Sequence, residues 1–589
     1  MEQTDSPATA LPTDLAGTPI RLAEAPRRHG SDAADALTLE LGLYVLLWTL
    51  AAALRLGDLG APLLSADEAR RALAAWQLAR GGTADLASGP TLLYASSALF
   101  FLFSANDFVA RLVPALAGLS LVLWPYLLRG RLGRGAALGA TFLLATSPTL
   151  VHAARTLDGE ALALSLFALA GFAWLRCTAG VDRRYLAVAG VTGGLALGCG
   201  PAAFGLLVPA VLTGTIAWWT WRRLPAGDQR ALGLWRAWLP WSVAAAVLVS
   251  TGLFSQPQGL QRGLIDPLAL WFGSFVAGDG RAWLTAPATL AAYEPAAVLA
   301  AFAGLALWRT AANGLRLALV LAGLAVLFAG AGAGPSARGL SFILFPVCLV
   351  GGWAFAALWQ RGRRRLSARE AALFLAFTVP VVWLFGIVAG HLSLPGAIVP
   401  PGVIVVPAAL FLLIAALWAY WRRPASALLG SGLLLALVLA VFALHGGAGV
   451  AASDPLTPSE VLERRAPAAD LRNLLTEIAR HSAVLSTPGT HDVLIQVDGG
   501  LLYPLAWYLR DYSRVAYDGT AARPTVAVVP ADAEPPPGNY VWQRYTLDQT
   551  TRSIPRGPGE LWRWFIYRDA VLGTFGQEIR LYVAVQPAR

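Results

Sequence analysis

Between residues 37 and 446 the chain is divided into about thirteen apolar runs: 37–56, 108–128, 135–153, 160–178, 184–200, 202–221, 238–255, 293–310, 315–333, 339–359, 371–390, 398–420 and 427–446. This repetition limits what the chain can fold into. A helix rises ~1.5 Å per residue, so about 20 apolar residues cross the hydrocarbon core of a bilayer. No water reaches the backbone there, and each run must satisfy its own N–H and C=O groups, as a helix does. The expected class is therefore a polytopic α-helical membrane protein. Composition agrees, because only 14% of residues are charged where a soluble domain carries about 25%.

Arginine placement orients the runs. All 45 basic residues are Arg, and 28 of them lie in residues 37–445 against 14 acids. The basic excess thus belongs to the membrane region, which points to topology signals and not to nucleic acid. The segment 90–104 is about fifteen residues, short for a span and suited to a helix lying on the bilayer surface. If it does not cross, the clusters Arg129/Arg131/Arg134, Arg183/Arg184, Arg222/Arg223/Arg230/Arg236, Arg361/Arg363/Arg364/Arg365/Arg369 and Arg422/Arg423 share one side. By the positive-inside rule that side is cytoplasmic. The polar residues 1–36 then read as a disordered cytoplasmic leader, 37–446 as the membrane domain, and 447–589 as an extracytoplasmic soluble domain. Three outer loops follow from this threading: 57–107, the turn at Asp158 and Glu160, and 256–292.

The tail changes pattern. Residues 467–482 place Leu471, Leu474, Leu475 and Ile478 on one helical face. DVLIQVD (492–498), RVAY (514–517) and TVAVV (525–529) read as strands, with a helix-like YPLAWYLRDY (503–512) between the first two. LWRWFIYRD (561–569) and EIRLYVAV (578–585) read as further strands, so the tail is expected to be a small α/β unit. Its Trp507, Tyr508, Trp542, Trp562 and Trp564 are read as packing or membrane-facing surface before a sugar platform.

Metal and redox chemistry find little support. Cys177, Cys199 and Cys348 all lie inside apolar runs, and His152, His391 and His445 are isolated. No spacing suits a metal, and no cofactor is implied.

Acids at the membrane boundary are the better candidates, because charge is costly to hold there. SADEARRALAAWQLARG (65–81) sets Asp67 and Glu68 before a helical stretch. One reading is structural, with Asp67 capping that helix and Glu68 favouring its dipole. The other makes a carboxylate the general base that takes a proton from an acceptor hydroxyl. Asp158 and Glu160 present the same choice at the next outer turn, on the same side of the membrane. Arg155, with Arg70, Arg71, Arg111, Arg262 or Arg338, offers charge for a phosphate leaving group.

The stretches SADEARRALAAWQLARGG, GPTLLYASSALFFLFSANDFVARLVPALAG and ATSPTLVHAARTLDGEALAL resemble the GT-C glycosyltransferases, in the protein O-mannosyltransferase and aminoarabinose-transferase-like branch. APATLAAYEPAAVLAAFAGL (286–305), LLYPLAWYLRDYSRVAYDG (501–519) and LWRWFIYRD resemble its "flippase activity-associated" subgroup. The resemblance implies a membrane transferase in which Asp67 matches the family's catalytic acid, Glu68 its neighbour, Asp158 the acid of the second outer loop and Arg111 the Arg opening the second span. It also implies work without a metal. Two motifs depart from the pattern. GCGPAA (198–203) stands where the family often has Lys, and GAGPSARGLSF (332–342) offers only Arg338 as a cation near the tenth span.

The expected function is sugar transfer from a polyprenyl-phosphate donor to an extracytoplasmic protein, lipid or glycan, with Asp67, Glu68 and Asp158 at the chemistry. Arg111, Arg155, Glu160 and Arg338 are the expected substrate-binding residues. The departures favour an alternative, a polyprenyl-lipid-binding or flippase-associated accessory protein without turnover. A transporter is disfavoured, since no pair of broken helices repeats in two halves.

Overall fold

The computed structural model describes residues 30–83, 85–86, 89–178, 184–221, 235–276, 282–311, 313–331, 339–363, 366–392, 400–452, 462, 465–485, 491–518, 523–551, 562, 564 and 574–585. Most of the leader, Arg338, part of the 222–236 arginine cluster and most of 561–569 lie outside them. The chain divides into two compact units, Met1–Leu46 and Leu47–Arg589, and the candidate site lies wholly in the second.

The protein is a helical multi-pass membrane protein with a C-terminal α/β sheet domain. Among the described residues seven helices are long and apolar enough to cross a bilayer, rising to nine if two bent pairs each count as one span. Leu39–Leu56, Asp107–Leu127, Glu160–Cys177, Leu340–Arg363, Ala368–Leu392, Gly402–Trp421 and Pro424–Ala451 make up the seven. The bent pairs are Arg134–Thr146 with Pro148–Arg155, at 55°, and Pro287–Tyr293 with Pro295–Ala306, at 109°. Of the expected runs, 184–200 and 238–255 form shorter helices of 14 and 16 residues, while 202–221 and 315–333 form the helices Ala202–Trp221 and Asn313–Ala331.

Four helices frame the site and take labels here: α1 (Gly30–Leu56), α2 (Ala66–Ala79), α3 (Pro90–Phe103) and α4 (Asp107–Leu121). The helix α3 has 14 residues, fewer than the ~20 that a span needs. It buries Leu92, Leu93 and Phe100 against α2 and α4, while Phe101, Leu102 and Phe103 are exposed. Tight seams elsewhere rest on small residues. A methyl on Gly352 would overlap the Ala136 carbonyl and the Ala140 N–H, so the Leu340–Arg363 and Arg134–Thr146 helices touch backbone to backbone.

The tail folds into a six-stranded mixed sheet: β1 (Arg465–Pro467), β2 (Ile495–Val497), β3 (Val515–Ala516), β4 (Val526–Pro530), β5 (Tyr540–Thr551) and β6 (Thr574–Ala584). Its order is β1-β5-β6-β4-β2-β3, with β2 parallel to β3 and β4 and the other pairs antiparallel. Leu471, Leu474 and Ile478 of the Ala469–Leu485 helix pack on Ile495, Val497, Val526, Val528, Ile579 and Leu581. Each such buried aliphatic side chain contributes about 1.5–3 kcal/mol. The strands expected at 492–498, 514–517, 525–529 and 578–585 are present. The described part of 561–569 differs, since Trp562 and Trp564 have helical backbone. β5 is an addition. Its pairing partners on β6 run from Tyr540↔Ala584 to Thr551↔Thr574, a separation that local composition does not register.

Candidate functional site

The helix α2 starts at a capping box. Ser65 is the N-cap in extended conformation, and its hydroxyl accepts the Glu68 N–H, while Glu68 Oε2 accepts the Ser65 N–H at 3.0 Å. Two orphan donors of the first turn are thereby satisfied. The capping residue is Ser65 and not Asp67, the residue expected in that role. Successive residues on a helix point about 100° apart, so Asp67 and Glu68 part company. Asp67 is 53% exposed and sits 3.7 Å from Arg70 on the surface. Glu68 is 2% exposed.

Burying a carboxylate requires compensation, and α4 supplies it. Arg111 Nε donates to Glu68 Oε1 at 2.9 Å and Arg111 Nη2 to Oε2 at 2.8 Å. The remaining guanidinium donors hold the carbonyls of Leu59, Pro62 and Leu63. A further bond comes from the turn at residues 156–159, where the Leu157 N–H donates to Glu68 Oε1 at 2.8 Å. Burial alone would raise the Glu68 carboxyl. The Arg111 charge and hydrogen bonds, with the Leu157 and Ser65 N–H groups, outweigh it and hold the group at about 2.

Both backbone groups of Leu157 are gripped by α2, since Arg71 Nη1 also holds the Leu157 carbonyl at 2.9 Å. The neighbouring Asp158 is therefore fixed relative to α2. It is half-buried, and its Oδ1 accepts the Glu160 N–H at 2.9 Å, capping the Glu160–Thr178 helix. Gly159 packs so closely on the Cys199 carbonyl that a methyl would overlap it, and the GCGPAA turn is thus seated against this loop.

The other candidates lie as follows. Arg155 Nη1 donates to the Leu54 and Gly57 carbonyls at 3.2 and 2.6 Å, closing the C-terminal end of α1. Glu160 is 4% exposed and accepts from the Gly339 N–H and the Ser341 hydroxyl. It thereby anchors the residue after Arg338, which itself lies outside the described residues.

Two constellations escaped the sequence reading. Glu294, between the halves of one bent pair, accepts from the Ser147 hydroxyl and from the Thr149 N–H at 3.0 Å, at the break in the other. Across the same break Arg55, 1% exposed, holds the Leu144 and Ala145 carbonyls at 2.8 and 3.0 Å. A broken helix leaves such groups orphaned, and an acid at the new N-terminus with a base at the new C-terminus meets them. The Tyr-Glu-Pro step at 293–295, an acid before a proline in an apolar run, was the available signal.

The second constellation is the tail's seat. Trp507 Nε1 and the Tyr508 hydroxyl donate to the two oxygens of Asp107, at 2.8 and 2.9 Å. Arg510 holds the Ala105 carbonyl at 2.8 Å and lies 3.9 Å from the Trp507 ring centre. Trp507 is fully buried and stacks on Phe100 of α3. YPLAWYLRDY thus packs onto α3 and the start of α4.

Residues 87–250 match the family described as dolichyl-phosphate-mannose-protein mannosyltransferase. Arg111, Leu157, Asp158 and Glu160 fall inside that stretch. The chain is also similar to solved structures. ArnT from Cupriavidus metallidurans bound to undecaprenyl phosphate is 16% identical with a TM-score of 0.47, over 85% of this chain and 94% of that one. The apo oligosaccharyltransferase of Archaeoglobus fulgidus is 14% identical with a TM-score of 0.48, over 82% of this chain and 65% of that one. The arabinosyltransferase EmbB of Mycobacterium smegmatis is 15% identical with a TM-score of 0.40, over 70% and 41%. None of these similarities assigns a substrate or a residue's role to this chain. No curated protein matches.

Proposed function

We propose that the protein transfers a sugar from a polyprenyl-phosphate donor to an acceptor hydroxyl outside the cytoplasm. The observation that carries this reading is the division of labour in the first turn of α2. Asp67 is solvated while its neighbour Glu68 is locked to Arg111. A general base must reach substrate and exchange its proton with water, and the exposed Asp67 meets that need where the buried Glu68 does not. The family match over 87–250 supports the same chemistry. In this reading the membrane domain is 37–446 and the tail 447–589, with the tail and the loops that carry Asp67 and Asp158 on the extracytoplasmic side, as the arginine distribution supports.

In this reading the acceptor oxygen attacks the anomeric carbon as Asp67 takes its proton. The bond from that carbon to the phosphate oxygen breaks, and the polyprenyl phosphate leaves with the electron pair. A single displacement inverts the anomeric configuration. Glu68 positions Asp67 through the backbone, and Asp158, fixed through Leu157, orients the acceptor. Arg111 and Arg155 hold backbone carbonyls, and the exposed Arg70 beside Asp67 supplies a cation for the leaving phosphate. Glu160 anchors Gly339, the residue that follows Arg338 in the chain.

The test is release and transfer of a labelled sugar from polyprenyl-phosphate-sugar by the full chain in lipid nanodiscs. Turnover by wild type and its loss in Asp67→Asn, with donor binding retained, is the expected result. Donor binding without turnover in either protein moves the assignment to a lipid-binding accessory role.

A further inference from the structure

Residues 59–65 lead directly into the α2 carboxylates, and their backbone is held at nearly every step. Arg111 takes the Leu59, Pro62 and Leu63 carbonyls. Arg472, on the tail's first helix, takes the Ala61 carbonyl at 2.7 Å. The Leu64 N–H, one residue before the N-cap, donates to the Tyr508 hydroxyl at 2.6 Å. That hydroxyl donates in turn to Asp107, the first residue of α4.

Asp107 and Arg111 are four residues apart, and residues at that spacing share a helix face. One face of α4 therefore fixes the α2 entrance twice. Arg111 holds it directly, and Asp107 holds it through a side chain that belongs to the tail. The phenol suits this relay. Burial and the Asp107 charge push the Tyr508 hydroxyl well above its ordinary value, so it stays protonated and keeps donating. Leu64 and Trp507 beside it are fully buried, while Tyr508 and Asp107 are partly buried.

We infer that Tyr508 is a positioning residue of the transferase: the tail domain, through the Leu64–Tyr508–Asp107 chain, sets where α2 begins and hence where Asp67 stands. The kinetic part of this inference rests on the transferase reading above. The positional part does not.

Amide hydrogen exchange and transfer kinetics are measured together on the full chain in nanodiscs, for wild type, Tyr508→Phe and Asp107→Asn. Losing one hydrogen bond is expected to speed exchange at residues 64–69 about ten-fold, with β4, β6 and the Ala469–Leu485 helix unchanged. Turnover, kcat, falls about ten-fold while the donor KM stays within about two-fold, because a displaced base slows chemistry without removing a binding contact. Asp107→Asn keeps one acceptor oxygen for two donors, so it falls between wild type and Tyr508→Phe. Unchanged exchange at 64–69, faster exchange throughout the tail, or faster local exchange with unchanged kcat each overturns the inference. If wild type transfers no sugar from any donor tried, the transferase reading fails, and the exchange pattern alone decides whether Tyr508 sets the α2 entrance.

Discussion

Arg111 meets Glu68 edge to edge, with Nε at 2.9 Å from one carboxylate oxygen and Nη2 at 2.8 Å from the other, and both side chains are about 95% buried or more. The pair joins α4 to α2 and, through Leu157, to the turn that carries Asp158. Removing one partner leaves the other charge buried and alone. Glu68→Gln is therefore expected to destabilise the membrane domain by about 3–5 kcal/mol, read as a fall in thermal unfolding temperature in detergent. Arg111→Met with Glu68→Gln in one chain should cost less than the sum of the single changes. Additive losses would show that the two residues do not act as a pair.

The same carboxylate predicts an acid limit. Its folded-state value, about 2, lies below its ordinary 4.5, so the unfolded chain binds this proton more readily. The contribution is fully present above about pH 4.5 and is lost as the pH falls from there through about 2, a loss of about 3 kcal/mol for this group. Thermal unfolding followed from pH 6 to pH 2 should show the decline in wild type and a flatter profile in Glu68→Gln. Equal slopes in the two proteins would remove Glu68 as its source.

The helix breaks yield a prediction of their own. Glu294→Ala strands the Ser147 hydroxyl and the Thr149 N–H in a buried setting, at about 1–3 kcal/mol for each unsatisfied group. The loss should appear as faster hydrogen exchange around residues 147–151. Glu294→Gln retains an acceptor and should recover most of the protection. Equal exchange in both variants would mean that the carboxylate's charge, and not its hydrogen bonds, holds the break.

The membrane architecture was legible because the bilayer leaves one local solution to each apolar run. The Ser65–Glu68 spacing is that of a capping box, although the sequence reading gave the cap to Asp67, and Glu68 bonds the Leu157 N–H, next to Asp158. What the sequence did not carry was the division of roles. Asp67 and Glu68 are adjacent and chemically alike, and only the position of Arg111, 43 residues away, decides that Glu68 turns inward. Arg155 looked equally suited to a phosphate, but the carbonyls ending α1 claim its donors. YPLAWYLRDY stood out as a motif, yet its partner Asp107 lies 400 residues upstream of Trp507. Contacts at that separation leave no periodicity to read.

Close backbone approach gives the last prediction. The turn that carries Asp158 abuts the turn at Cys199, and a methyl added at Gly159 would run into the Cys199 carbonyl, with the Cys199 Cβ at 3.2 Å. Backbone on both sides leaves no flexible side chain to move aside. Gly159→Ala should therefore displace one turn from the other, at about 1–3 kcal/mol. Because Leu157 is pinned to α2, the displacement reaches Asp158 and should lower transfer along with stability. Gly171→Ala, on the helix that Gly159 precedes, meets nothing within 4 Å and serves as the control. Alanine there should be neutral or stabilising by up to about 1 kcal/mol. Equal behaviour of the two variants, in unfolding temperature and in turnover, would mean that the contact with Cys199 does not constrain this loop.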